Sequence, residues 1–148
     1  MYRAHSWKQA GGVSLWYYTE NERNYPGWHL TADAAGCESL IALLDAFASD
    51  GVATSRAIEI KPPTKAQLGV PNNKSGLAAW QAPSKFRIAF SNIPAEWAFP
   101  LDLDQASLRI GSDWLTPLRD GISGIPHGRG DYAIGPAGKV NPGLWFWW

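Results

Sequence analysis

The stretch DAAGCESLIALLDAFASDG (33–51) admits one secondary structure. Cys37, Leu40, Ile41, Leu44, Phe47 and Ala48 recur at the three-then-four spacing of a helix, while Glu38, Ser39, Asp45 and Ser49 fall on the opposite side. Asp33 stands where an N-cap side chain accepts from the first turn, and Gly51 stands where a helix stops in a left-handed residue. A helix with such a stripe has to bury it against a broad apolar surface, which constrains what lies on either side.

Upstream, VSLWYYT (13–19) and WHLTA (28–32) are rich in β-branched and aromatic residues. The polar ENERNYPG between them is a connection that suits antiparallel neighbours. Downstream, TSRAIEI (54–60), KFRIAFSNI (85–93), ASLRIG (106–111), DYAI (131–134) and LWFWW (144–148) carry strand patterns, with Phe86, Ile88 and Phe90 alternating cleanly. A second, shorter helix is expected from Thr116, with Pro117 in the first position and Leu115, Leu118, Ile122 and Ile125 as its apolar set. The order strands, helix, strands, helix, strands predicts one α+β domain over residues 1–148: a single, mostly antiparallel sheet with two helices packed on one face. The segment 61–84 holds four prolines and two glycines without periodicity. A connection of that length in a compact domain is either functional or mobile.

Charge narrows the function classes. Thirteen basic and thirteen acidic residues cancel, which argues against nucleic acid as the principal ligand. The charges are not evenly spread: 51–90 is mainly basic and 96–120 mainly acidic, an asymmetry that steers a protein partner or simply stays solvated. Cys37 is the only cysteine, so neither an internal disulfide nor a paired-cysteine zinc site can form, and a reducing compartment is favoured. No secretory leader or long apolar run is legible, so a cytoplasmic protein without a membrane partner is expected.

Few groupings suggest chemistry. GVPNNKSG (69–76) has the lysine and serine of a phosphate loop but not its glycine spacing, and DGISGI (120–125) lacks the order of a nucleophile elbow. Cys37 on the apolar stripe reads as a buried thiol rather than a nucleophile. His5, His29 and His127 do not pair with one another at ligand spacing, and no metal or other cofactor is expected. GRGD (128–131) reads as a glycine-mediated turn.

The nine tryptophans are the least ordinary feature. Trp16, Trp28, Trp114 and Trp145 suit a core, whereas Trp80 and Trp97 lie in connections and suit a contact surface. In LWFWW successive side chains alternate between faces with no polar residue on either, so the strand is covered on both sides or meets a partner on one. Leu144, Trp145 and Phe146 are expected in the core, leaving Trp147 and Trp148 as the rings available for contact. With Asp102 and Asp104 from the acidic connection, the candidate protein-binding residues are Trp80, Trp97, Asp102, Asp104, Trp147 and Trp148.

Three stretches, WHLTADAAGCESLIALLDAF, GRGDYAIG and LWFWW, together resemble small bacterial single-domain proteins of the immunity type that accompany secreted toxins. The resemblance covers about a third of the chain. It implies a non-catalytic protein that binds and blocks a toxin domain without a cofactor, and it assigns a role to no individual residue. Elimination of catalytic sets leads the same way, to a binding protein rather than an enzyme. Two other readings stay open: a carbohydrate- or small-molecule-binding module using Trp80, Trp97 and the terminal aromatics, and a hydrolase using His29 or His127 with Asp131 or Asp102.

Overall fold

A computed structural model describes residues 2–136 and 142–148; the turn expected through 137–141 lies outside the described residues. Nine strands and four α-helices are described: α1 (Arg3–Ser6), β1 (Val13–Tyr18), β2 (Trp28–Ala32), α2 (Ala34–Asp50), β3 (Thr54–Ile58), α3 (Lys65–Gly69), β4 (Trp80–Gln81), β5 (Phe86–Phe90), β6 (Trp97–Ala98), β7 (Ala106–Ile110), α4 (Leu115–Gly124), β8 (Tyr132–Ile134) and β9 (Leu144–Phe146).

The strands form two sheets, which corrects the expectation of a single sheet with two helices. The first has five strands in the order β4-β1-β2-β9-β8 and the second has four in the order β3-β5-β7-β6. Alternation along a strand shows which side chains are buried but not which strand is the neighbour, so the partition was hidden. Strands β4 and β6 are two residues long, and α1 and α3 are single turns, all below the span over which a period can be read. Five of the seven described pairings are antiparallel, while β2 runs parallel to β9 and β5 parallel to β7.

Helix α2 forms where its spacing required. Asp33 accepts from the Gly36 amide at 2.7 Å, and its other carboxylate oxygen accepts from Gly12 at 2.8 Å, tying the helix start to the approach of β1. Gly51 ends it with φ 66°, and its amide donates to Phe47. The buried stripe is rotated slightly from the expected one: Leu43 and Ser39 are buried, whereas Ala48 is exposed. Ser39 is accommodated because its carbonyl accepts from Trp7 Nε1 at 2.7 Å and its hydroxyl from the Ala10 amide at 3.0 Å.

The larger apolar core joins both sheets to α2 and α4. From the first sheet come Val13, Leu15, Trp28, Leu30, Leu144 and Phe146; from the second come Ile58, Phe86, Ile88, Phe90, Leu108 and Ile110; α2 and α4 add Leu40, Leu44, Phe47, Leu118 and Ile122. Phe99 bridges the sheets, stacked on Trp28 at 5.0 Å and on Phe86 at 5.9 Å. Gly121 weakens α4 in propensity, yet a Cβ there would overlap the Phe146 ring. The glycine is the condition for the helix to lie against β9.

The opposite face of the five-stranded sheet holds a second cluster. Trp16, Tyr18 and Trp147 are buried there beneath Leu68 and Ala78, with Tyr25, Val70, Trp80, Ala82 and Trp145 partly buried around them. The cover is the proline-rich 61–84 segment, and the covering stretch is built by capping rather than by periodicity. Thr64 accepts from the Gln67 amide while Gln67 Oε1 accepts from the Thr64 amide, a reciprocal cap that starts α3. Beyond it the chain turns through Asn72, Lys74 and Ser75, all left-handed, with φ of 58°, 51° and 57°. Such conformations cost non-glycine residues roughly 1–2 kcal/mol each. They are held from outside: the buried Asn73 accepts from Asn21 Nδ2 at 2.8 Å, and Lys74 meets Glu20 at 2.7 Å.

Candidate functional site

The turn that these contacts hold, 19–27, borders a cleft at one end of the five-stranded sheet. The cleft lies where β1 and β8 end and β2 and β9 begin, with a volume of about 760 Å³. Tyr17, Tyr18 and Trp145 contribute aromatic wall, Leu101 and Ile134 aliphatic wall, and Glu22 a carboxylate. Strand alternation sends Tyr17 to the core side, against Trp28 at 5.3 Å, and Trp145 to the other side. The wall therefore wraps around the end of the sheet.

Several polar atoms of the wall are already committed. Trp145 Nε1 donates to the Pro26 carbonyl at 3.0 Å, the Gly143 carbonyl accepts from the Trp28 amide at 3.0 Å, and the Pro142 carbonyl accepts from Trp97 Nε1 at 2.8 Å. Tyr17 OH donates to Gln81 Oε1 at 3.1 Å. The Glu22 side chain has no described cation within ion-pair reach. It is the one charged group among the described lining residues.

Behind Trp145 stands a ladder of rings. The sheet register places Trp16 opposite His29, and His29 opposite Trp145. His29 is stacked on Trp16 at 5.6 Å, on Trp145 at 6.2 Å and on Trp147 at 6.1 Å. Trp147 Nε1 donates to His29 Nδ1 at 2.9 Å. Because an indole nitrogen only donates, Nδ1 is bare and Nε2 carries the proton, which it donates to the Tyr25 carbonyl at 3.1 Å. Burial lowers the imidazole pKa from 6.5 to about 4, although the Tyr25 carbonyl works the other way. Both ring nitrogens are thus engaged in holding the face together, and His29 has none free to act as a general base.

Two polar atoms in this layer, Trp16 Nε1 and the Tyr18 hydroxyl, are buried without a hydrogen-bond partner. The rings meet edge to face at 6.5 Å. Burial raises the Tyr18 phenol pKa, and the nearby indole N–H of Trp16, not aligned for a hydrogen bond, opposes that rise. On the far side of the sheet Cys37 is also inert: its thiol lies 3.6 Å from the Ala32 carbonyl, and burial, followed by the neighbouring Asp33, pushes its pKa up to about 11.

The six residues proposed from sequence do not converge. Trp80 sits half-buried on β4 beside Tyr18, within the cover of the aromatic face. Trp97 is core, its ring 5.0 Å from Trp114. Asp102 and Asp104 are exposed and form a local turn, Asp102 Oδ1 accepting from the Asp104 amide at 2.9 Å. Trp147 is 3% exposed and Trp148 50%, so only the last ring of the chain presents a surface. Conversely Trp145, expected in the core with Leu144 and Phe146, is only partly buried. None of the six lines the cleft.

The residues that do line it were missed for a physical reason. Tyr17 and Tyr18 read as strand, and Glu22 as one polar residue of a turn. Leu101, 47% exposed, was passed over for its acidic neighbours. Its signal was the alternation Leu101-Asp102-Leu103-Asp104 after Pro100, in which Leu101 is the first aliphatic side chain. The basic stretch 51–90 also fails to make one patch: Lys74 pairs with Glu20, Arg56 caps the α1 carbonyls of Ala4 and His5, and Arg87 bonds Ser55. Among the described residues no helix is long and apolar enough to cross a membrane, and no three potential ligands gather around a metal position. Comparison with family models, with curated proteins and with solved structures finds no match.

Proposed function

We propose that this chain is a non-catalytic binding protein that docks a protein partner at the cleft, acting in the cytoplasm as an immunity-type inhibitor of a toxin domain. The observation that carries the reading is the cleft itself: an apolar, aromatic-walled recess with exposed Leu101 at its border and the Pro26, Pro142 and Gly143 carbonyls paired internally. A wall whose hydrogen bonds are already made is rigid and loses little freedom on binding. Aromatic side chains set in such a wall are the usual anchors of a protein interface. Two of the stretches that carry the immunity-type resemblance, GRGDYAIG and LWFWW, run through β8 and β9, and both strands contribute to the cleft.

One observation favours a second reading. The volume of about 760 Å³ falls in the range of small-molecule sites, so a carbohydrate or other small ligand fits the same recess. Co-expression of the tagged chain with the products of neighbouring genes separates the two. A complex that survives purification, and is lost in Leu101→Asp but not in Ser107→Asp on the second sheet, supports docking at the cleft. Failure of every neighbour to co-purify, or a complex indifferent to Leu101→Asp, overturns it. Saturable quenching of tryptophan emission by a glycan would establish the second reading instead.

A further inference from the structure

We propose that the group received by the cleft is a cation on an apolar stem, a lysine or arginine side chain presented by the protein partner. The inference rests on the docking reading and names its chemistry. The partly buried rings of Tyr17 and Trp145, with the edge of the nearly buried Tyr18, line the recess together with Leu101, Ile134 and Glu22. The π faces of tyrosine and tryptophan carry negative potential and attract a cation within about 6 Å. The hydrocarbon part of a lysine or arginine covers apolar wall while its head reaches a polar mouth.

The complementary possibilities fit less well. An anionic group would meet Glu22 and no basic side chain among the described lining residues. A hydroxyl-rich neutral group needs donors and acceptors together, whereas the Trp145 indole N–H and the Pro26, Pro142 and Gly143 carbonyls are already paired and the unpartnered Tyr18 hydroxyl is buried out of reach of the recess. A purely apolar side chain would make no use of the Glu22 carboxylate, the one charge among the described lining residues. A cation answers both features of the wall.

The backbone of the turn that carries the carboxylate is held in place. Glu22 lies in the 19–27 turn, where the Glu22 carbonyl accepts from the Tyr25 amide at 3.2 Å and Asn24 donates to the Asn21 carbonyl at 3.3 Å. Tyr25 OH donates to the Pro71 carbonyl at 3.1 Å, fastening the turn to the 61–84 cover. Order in that cover therefore extends to the backbone segment that carries Glu22.

The test uses the full chain, labelled with ¹⁵N, and three probes: N-acetyl-Gly-Lys-Gly-amide, its arginine counterpart, and the uncharged norleucine counterpart. The Trp145 indole N–H resonance should move saturably with the lysine and arginine peptides, with the norleucine peptide binding about tenfold more weakly. Glu22→Gln, an exposed substitution that leaves the apolar wall intact, should weaken the two cationic peptides about fivefold to tenfold and leave the norleucine peptide unchanged. Equal binding of norleucine and lysine, indifference to Glu22→Gln, or no saturable shift with any peptide overturns the inference. A norleucine peptide that binds as well as lysine leaves the docking reading standing, because that reading is decided separately by the loss of the co-purified complex in Leu101→Asp.

Discussion

The two faces of the five-stranded sheet are buried by different means. On one face, Leu15, Leu30, Leu144 and Phe146 meet helices and a second sheet, whose regular spacing offers interdigitating aliphatic and phenyl groups. On the other, Trp16, Tyr18, His29 and Trp147 lie under an irregular segment that carries few large side chains of its own, chiefly Leu68, Val70 and Trp80. A regular partner fills space by shape. An irregular one cannot, so here the sheet supplies the bulk as wide flat rings, and hydrogen bonds such as Trp147 to His29 and Tyr25 to Pro71 fix their positions. The same economy produces the cleft, because rings long enough to fill a layer also reach past the end of the sheet.

The sharpest way to break this comparison is to truncate one side chain from each face of β9. Phe146 is fully buried against α4, and Phe146→Ala should cost about 3–5 kcal/mol, read as a fall in the urea midpoint. Trp145→Ala on the opposite face should cost distinctly less, since part of the ring already faces the cleft. Equal losses would mean that both faces are packed alike.

Acid should distinguish the faces next. His29 has a folded pKa of about 4 against an ordinary 6.5, so the unfolded chain takes up the proton first. Stability is complete above about pH 6.5 and falls as pH drops toward 4, by roughly 3 kcal/mol in all. Glu20 and Asp50 are held below their ordinary values of 4.5 and 3.8, Glu20 mainly by Lys74, Asp50 by the Ala4 and Arg3 amides against a desolvation that acts to raise it. Their stabilisation is lost only below those ordinary values, so the slope between pH 6.5 and 4.5 belongs to the aromatic face. His29→Leu should flatten it; an unchanged slope would assign the acid sensitivity elsewhere.

How much of this was legible follows from the same contrast. Helix α2 and strands β1, β2, β5 and β7 follow from residues a few positions apart, and their caps and alternation are visible in the chain. The division into two sheets is set by hydrogen bonds between strands distant in sequence, such as β2 with β9, which no local pattern records. LWFWW posed the problem correctly, since apolar residues on both sides of a strand require two covers, and the 61–84 segment proved to be the second. What could not be read was the stagger of the ends: Trp147 continues beneath the cover, its amide bonded to the Leu30 carbonyl at 3.0 Å, whereas Trp145 opens onto the cleft. Glu22 was invisible for a similar reason, since only the fold sets it beside Trp145 and Leu101.

If the cover depends on specific hydrogen bonds, its weakest substitutable point is Asn73. The side chain is buried, accepting from Asn21 and donating to the Glu20 carbonyl at 3.4 Å. Asn73→Ala should cost about 1–3 kcal/mol, because it removes both side-chain hydrogen bonds and leaves unfilled space at a buried position. Hydrogen exchange should rise at Ala78 and Ala79, in the cover, before it rises in α2. Uniform loss of protection across the molecule would show that the cover does not open by itself.

The smallest effect should come from the charge beside it. Lys74 and Glu20 lie 2.7 Å apart, but their side chains are 56% and 41% exposed, so the attraction is spent largely against water and side-chain entropy. Lys74→Ala should therefore shift stability by less than about 1 kcal/mol, and raising the salt concentration to about 1 M should remove most of what the pair contributes. Glu20 keeps its second bond, from the Ala79 amide at 2.8 Å, which needs no cation. A loss in Lys74→Ala as large as that in Asn73→Ala, and persisting in high salt, would mean that the ion pair rather than the buried amide network holds the three left-handed residues in place.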